Sequence, residues 1–333
     1  MNQPLVLILG ARGRFGRAAV DAFAQAGWQV VAQVRPGVAM PGAPGVRWIA
    51  AAPQDAQQLA LAAKGAQVVV NALSPAYTHR AWRTEVPRLT QAAIAVSREL
   101  GALLMLPGSV YNFGAGMPAL LHEDTPQRPT TFKGRMRVAS EQMIRQATSD
   151  GRIKAVVIRG GDFFGSGTGS WFDQVMARDL RAGKFTYPGG QDVPTTWAYL
   201  PDMARAFVRV AQQRERLAAF ENLHFAGTSL TGADWAELLE QVAREQGWLP
   251  SGKLRVATLS WPLMRLLGLV MPTVAALCEM RYLWRTPYTL VDTRMAALVG
   301  ATPRTPLPEA VRAALADLGL LQAAQGSLAH APA

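Results

Sequence analysis

The chain is poor in the residues that build covalent or metal-bound scaffolds. It has one cysteine, Cys278, so no intramolecular disulfide forms and no cysteine-rich metal site exists. The four histidines, His79, His122, His224 and His330, lack metal-ligand spacing, and no metal is expected. Acid is scarce beside base: 23 Asp and Glu against 34 Lys and Arg give a formal net charge of +11. Such a balance favours anionic small molecules. The arginines are scattered and no nucleic-acid-binding motif occurs, so no specific nucleic-acid partner is expected. Long apolar runs are also missing. Leu259 to Leu277 comes nearest, but Pro262, Arg265 and Pro272 interrupt it. It reads as a buried or substrate-covering helix pair rather than a transmembrane span, with peripheral membrane contact left open. The N-terminus shows neither the basic n-region nor the apolar h-region of a secretion signal, so a cytoplasmic location is expected.

Against these absences stands one dense signal. The apolar run Pro4 to Leu9 leads into Gly10-Ala11-Arg12-Gly13-Arg14-Phe15-Gly16, and a helix pattern follows at once. Strand, glycine turn and helix in this order let the backbone approach a pyrophosphate. The unpaired amides and positive dipole end of the helix then face it. Gly10, Arg12, Gly13, Arg14, Phe15 and Gly16 are therefore candidate cofactor-binding residues. The next strand, Trp28 to Val34, ends in Arg35 and not in the acidic residue that bonds a ribose 2′-hydroxyl. An arginine there suits a 2′-phosphate, with Arg12 closing from the other side, so NADP is favoured over NAD. The alternative for both arginines is a solvated loop charge.

Strand and helix patterns alternate through the first half. Further strands are expected over 46–50, 66–72, 102–106 and 154–159, and helices over 55–64, 82–100 and 134–149. This predicts an α/β fold: a doubly wound parallel sheet, the Rossmann fold, with a smaller and mostly helical C-terminal substrate lobe. The 333 residues exceed one typical compact core and suffice for both parts. Residues 1–170 form the expected dinucleotide domain, with 199–216 returning to it. The segments 171–198 and 217–321 form the substrate lobe, and 322–333 a frayed tail. Within the lobe, helices are expected over 171–182 and from a cap at Thr231 or Asp234 to Gln246. Ligands of such sheets lie beyond the carboxyl ends of the strands. That makes Asn71, Ala72, Leu73, Ser109, Tyr111, Gly161, Asp162 and Phe163 candidates. Gly165 to Ser170 reads as a flexible loop able to gate substrate or as a linker. Trp171, Trp197, Trp261 and Trp284 read as core or as the lining of an apolar pocket.

Gly10, Gly13 and Gly16, Asn71-Ala72, Gly108-Ser109-Val110-Tyr111, Arg159-Gly160-Gly161-Asp162-Phe163-Phe164-Gly165 and Tyr199-Leu200-Pro201-Asp202 occur in this order. Together they resemble the extended and atypical short-chain dehydrogenase/reductase superfamily, in its NAD-dependent epimerase/dehydratase-like branch. The resemblance implies a catalytic Ser or Thr after the fifth strand and a Tyr-x-x-x-Lys pair on the next helix. Ser109 matches the first. Glu141 matches a glutamate that commonly lies four residues after the family lysine. This puts Arg137 at the lysine position and Lys133 at the tyrosine position, so both standard residues are replaced. Ala51-Ala52 also departs from the aspartate that often contacts adenine.

Lys133 and Arg137 share one helix face. Burial and a neighbouring cation lower a lysine pKa towards neutrality, which makes Lys133 the expected general acid/base. Lys133 and Arg137 are also expected near the nicotinamide ribose, with Tyr111 as a spare proton donor. The isoflavone and pinoresinol-lariciresinol reductases, a branch with a similar arrangement, are NADPH-dependent and use a lysine in this region. The expected activity is therefore hydride transfer between NADPH and a small carbonyl or enone-like substrate. Two alternatives stay open: a non-catalytic NADP-binding sensor of the nitrogen-metabolite-repression type, and a nucleotide-sugar epimerase or dehydratase. A homodimer through Rossmann-domain helices is a superfamily habit that no residue here demonstrates.

Overall fold

The structure, a computed structural model, describes residues 3–40, 42, 45–249, 252–302 and 304–321. The tail expected to fray, 322–333, lies outside the described residues. The first half alternates as the sequence predicts: β1 (Leu5–Leu9), α1 (Arg14–Gln25), β2 (Gln29–Val34), β3 (Val46–Ala50), α2 (Ala56–Ala62), β4 (Val68–Asn71), α3 (His79–Leu100) and β5 (Leu103–Gly108). A short β6 (Leu120–Leu121) precedes α4 (Phe132–Ala147), β7 (Ala155–Arg159) and β8 (Asp162–Phe164). The second half holds β9 (Lys184–Tyr187), β10 (Thr195–Tyr199), α5 (Leu200–Gln212), β11 (Phe220–His224) and β12 (Thr228–Leu230). After α6 (Gly232–Glu245) and β13 (Arg255–Thr258) come α7 (Trp261–Gly268), α8 (Pro272–Cys278), β14 (Thr289–Leu290), α9 (Thr293–Val299) and α10 (Leu307–Asp317).

Seven strands make one parallel sheet in the order β11-β7-β5-β4-β1-β2-β3. Val6 to Leu9 and Ala155 to Arg159 are buried along their whole length, because helices cover both faces. On one face α1 and α5 pack together, with Phe15 and Phe207 rings 4.7 Å apart. On the other, Leu59 of α2, Val96 of α3 and Ile144 of α4 close a second core. The strand order reverses between β1 and β4, and crevices at such reversals receive ligands.

A third core belongs to the smaller lobe and is centred on Trp235 of α6. Trp197 and Trp235 meet edge-on at 5.0 Å, and Trp284 stacks beyond them. Trp197, Trp261 and Trp284 are thus core residues, and truncating one costs about 3–5 kcal/mol. Both candidate caps of α6 are used: Thr231 and Asp234 form a reciprocal capping box.

Three expectations need correction. Residues 220–224, expected in the lobe, form the seventh sheet strand, because Phe220 to His224 pair in register with Ala155 to Arg159. The helix expected over 171–182 is one wide turn, Phe172–Met176, closed by Ala177 N–H donating to the Phe172 carbonyl at 2.7 Å, and then a short turn Leu180–Ala182. The widening lets Phe172, Met176, Ala177 and Leu180 all reach the Trp235 core. The helix pair expected over 259–277 exists as α7 and α8, with Pro262 and Pro272 in the first turns where proline is tolerated. Only its inner side is buried, at Trp261 and Ala276, while Leu266, Leu269 and Val270 are exposed. Among the described residues no helix is long and apolar enough to cross a membrane.

Candidate active site

The glycine turn is built for close approach. Gly10 sits at φ +73°, and a Cβ on Gly16 would lie 2.2 Å from the Gly10 carbonyl oxygen. Only glycine holds both positions without moving the turn. Gln33, fully buried in β2, accepts the Gly10 N–H at 2.8 Å and donates to the Ala51 carbonyl at 2.7 Å, tying the turn to β3. Gly13 caps α1 without any side-chain hydrogen bond, and the first turn holds no acid. The first amides of the helix, which have no intrahelical acceptor, therefore stay available to an anion. A cleft of about 820 Å³ opens here, lined by Gly10, Arg12, Gly13, Arg35, Ala72 and Leu73 among others. Asn71 shapes its edge by accepting the Leu73 N–H at 3.2 Å. The chemistry of this lining, free backbone amides and two exposed arginines, fits an anionic dinucleotide. The Arg14 and Phe15 side chains turn away from this cleft. The Arg14 guanidinium donates to the carbonyls of Phe163 and Gly165, and burial pulls its pKa down to about 10. The Phe15 ring lies in the sheet core.

Beyond the carboxyl ends of β5 and β7 lies a second cluster. Tyr111, in the short helical turn Val110–Phe113, has its hydroxyl 3.2 Å from that of Tyr77. Burial, reinforced by the charge of Asp162, pushes Tyr111 up to about 12. Burial also raises Tyr77 well above the ordinary phenol value. Both remain neutral hydrogen-bond donors at physiological pH. The Arg137 guanidinium lies 4.9 Å over the Trp82 ring, with its Nε enclosed and unpartnered among the described residues. Asp162 has one carboxylate oxygen enclosed and, among the described residues, without a partner, and burial pushes its pKa up to about 7. Ser109 Oγ is likewise enclosed and has no hydrogen-bond partner among the described residues. The structure thus brings Asp162 and Arg137 each into electrostatic reach of Tyr111, with Ser109 two residues before it. Gly161 packs on the backbone of Thr196, and Phe163 against the sheet core.

Lys133 is fully buried and committed elsewhere. Its Nζ donates to the Ala276 carbonyl at 3.0 Å and to Glu279 at 3.3 Å, and lies 4.5 Å over the Tyr77 ring. Burial lowers its pKa, while Glu279 works in the opposite direction. Glu279 also receives the Phe132 N–H and bonds His79 Nε2 at 2.8 Å.

Glu141 lies beneath the cluster in a bidentate pair with fully buried Arg159, at 3.1 and 2.8 Å. His224 is fully buried with Nδ1 between the carbonyls of Leu121 and Val291, and burial pulls its pKa down to about 3. The loop expected to gate is pinned: Ser166 N–H donates to Asp317, and the amides of Gly169 and Ser170 donate to Asp173.

Comparison with protein-family models matches residues 6–224 to the NAD dependent epimerase/dehydratase family. The chain belongs to the NAD-dependent epimerase/dehydratase family. Comparison with curated proteins finds no match. Similar solved structures include a putative epimerase from Burkholderia cenocepacia J2315, with TM-score 0.71 and 16% identity over 94% of this chain and 97% of that one. Another is the UDP-glucose 4-epimerase of Brucella ovis in complex with NAD, with TM-score 0.73 and 14% identity over 95% and 98%. A third is the UDP-glucose 4-epimerase of Thermotoga maritima with UDP-glucose, with TM-score 0.69 and 14% identity over 93% and 97%. At these identities the likeness speaks for the fold.

Sequence reasoning missed Gln33, His79 and Glu279. Gln33 carried a local signal, a polar residue inside the apolar run Val30 to Val34. Glu279 lies 146 residues from Lys133 and carried none.

Proposed function

We propose that the protein is a nicotinamide-dinucleotide-dependent enzyme of the epimerase/dehydratase type, acting on a hydroxyl-bearing, nucleotide-sugar-like substrate, and that Asp162 takes the place of the missing tyrosine. The observation that carries this reading is the enclosed Asp162 oxygen, unpartnered among the described residues and within electrostatic reach of Tyr111. A carboxyl titrating near neutrality exchanges a proton in either direction. The bound dinucleotide supplies the acceptor and donor of hydride at the carbinol carbon. Asp162 takes the hydroxyl proton as the carbonyl forms and returns it on reversal. Ser109 Oγ and the Tyr111 hydroxyl hold the substrate oxygen by donating hydrogen bonds, which strengthen as negative charge develops on it. Arg137, unpaired and always charged, holds ribose hydroxyls or the oxygen lone pairs of substrate. Lys133 clamps the two lobes and exchanges no proton. Arg12 and Arg35 favour NADP, whereas the Brucella ovis neighbour is named as a complex with NAD. The nucleotide-sugar class is preferred to a small enone because the structural likeness runs through the second lobe as well as the sheet.

The test is incubation with NAD or NADP and a panel of UDP-sugars, following nicotinamide absorbance and sugar interconversion. Asp162→Asn should lower turnover by roughly 100-fold or more while leaving dinucleotide binding intact. A second reading, a dinucleotide sensor without catalysis, is favoured by one feature: the residue at the tyrosine position, Lys133, is fully engaged by the second lobe. It is the conclusion if the dinucleotide binds and no member of the panel turns over.

A further inference from the structure

Independently of the catalytic reading, we infer that the α7–α8 hairpin is a docking surface for an anionic lipid bilayer. Helix α7 is apolar on both sides. Its inner side carries buried Trp261, whose indole N–H donates to the Pro188 carbonyl at 2.7 Å. Its outer side carries Leu263, Leu266 and Leu267, spaced as one helical stripe and all exposed. The turn that follows presents Leu269, Val270 and Met271, with Leu269 and Val270 exposed at 81% and 79%. Gly268 lies against Ala275 at a distance that leaves little room for a side chain, so the two helices close into one apolar wedge. A contiguous exposed apolar stripe of this kind marks an interaction surface.

Charge decides what covers it. From residue 253 to residue 285 the chain carries Lys253, Arg255, Arg265, Arg281 and Arg285 against a single acid, Glu279. That acid is turned inward onto Lys133 and His79. An exposed apolar turn within a stretch of such cationic excess matches a leaflet of anionic headgroups over acyl chains. A second copy of the chain would bring the same cations face to face. The helices, at eight and seven residues, are too short to span and long enough to lie in the interface.

The experiment is vesicle co-flotation of the full chain. Wild type is expected to float with phosphatidylcholine–phosphatidylglycerol vesicles, to float less as salt rises, and to stay behind with phosphatidylcholine alone. The double variant Leu269→Asp, Val270→Asp should lose at least ~10-fold in partitioning, because buried apolar area drives insertion. Both positions are exposed, so tryptophan fluorescence should report an unchanged fold. Arg255→Glu with Arg265→Glu, an independent second variant, should lose binding to anionic vesicles. Failure of wild type to float with anionic vesicles overturns the inference. Equal flotation of the Asp variant also overturns it, as does a wild-type dimer in light scattering that the Asp variant turns into a monomer.

Discussion

Lys133→Met separates a clamp from a catalyst. The substitution keeps the buried stem and removes the ammonium. The Ala276 carbonyl loses its donor at 3.0 Å, and Glu279 loses its contact at 3.3 Å. Breaking a fully buried ion pair costs about 3–5 kcal/mol. Glu279 keeps His79 and the Phe132 N–H, and its side chain is 16% exposed, so part of that charge stays satisfied. The expected loss is therefore about 2–3 kcal/mol, or a fall of roughly 5 °C in the unfolding midpoint for a chain of this size. Urea and thermal unfolding followed by tryptophan fluorescence read it directly. The double variant Lys133→Met, Glu279→Gln removes both charges and should recover part of the loss, because no carboxylate is then left without its cation. Turnover should follow the folded fraction. If stability is unchanged and turnover disappears, Lys133 is the proton carrier and the clamp is refuted.

Three further outcomes are expected. Gly16→Ala places a methyl against the Gly10 carbonyl, and the displaced turn should weaken dinucleotide binding by ~10–100-fold in a titration with little loss of fold. Arg35→Ala should remove a charge-assisted phosphate contact and reduce any preference for NADPH over NADH by ~10–100-fold, read by parallel titrations. Asp162 is pushed up to about 7, so hydroxyl oxidation should fall as pH drops below that value and Asp162→Asn should flatten the profile. The same shift has a stability consequence. A carboxyl whose folded pKa exceeds its unfolded one holds its proton more tightly when folded. Its contribution weakens from about pH 4 to pH 7, so Asp162→Asn should be more stable than wild type at neutral pH.

The elements that were legible in the sequence are those whose cause is local. Val6 to Leu9 and Val68 to Val70 are apolar runs because both sheet faces are covered, and the glycines of the first turn announce a backbone approach that no side chain permits. β11 was hidden because Phe220-Glu221-Asn222-Leu223-His224 carries polar residues that pair only across space. Asn222 donates to the Glu123 carbonyl and accepts from Arg159. In the site, Ser109, Tyr111, Arg137 and Asp162 were each nameable from strand ends and motif position. Their roles were not, because the fate of Lys133 depends on Glu279, a residue in another lobe with no sequence signature. The exposure of α7 was also hidden, since an apolar helix that faces outward reads the same as one that faces in.

The most direct test of the account is fluorescence titration of the purified chain with NADPH, NADP, NADH and NAD, beside Gly16→Ala. Saturable quenching by the phosphorylated forms, lost in the variant, is the predicted result. No saturation with any of the four would contradict the dinucleotide cleft and the enzymatic reading built upon it.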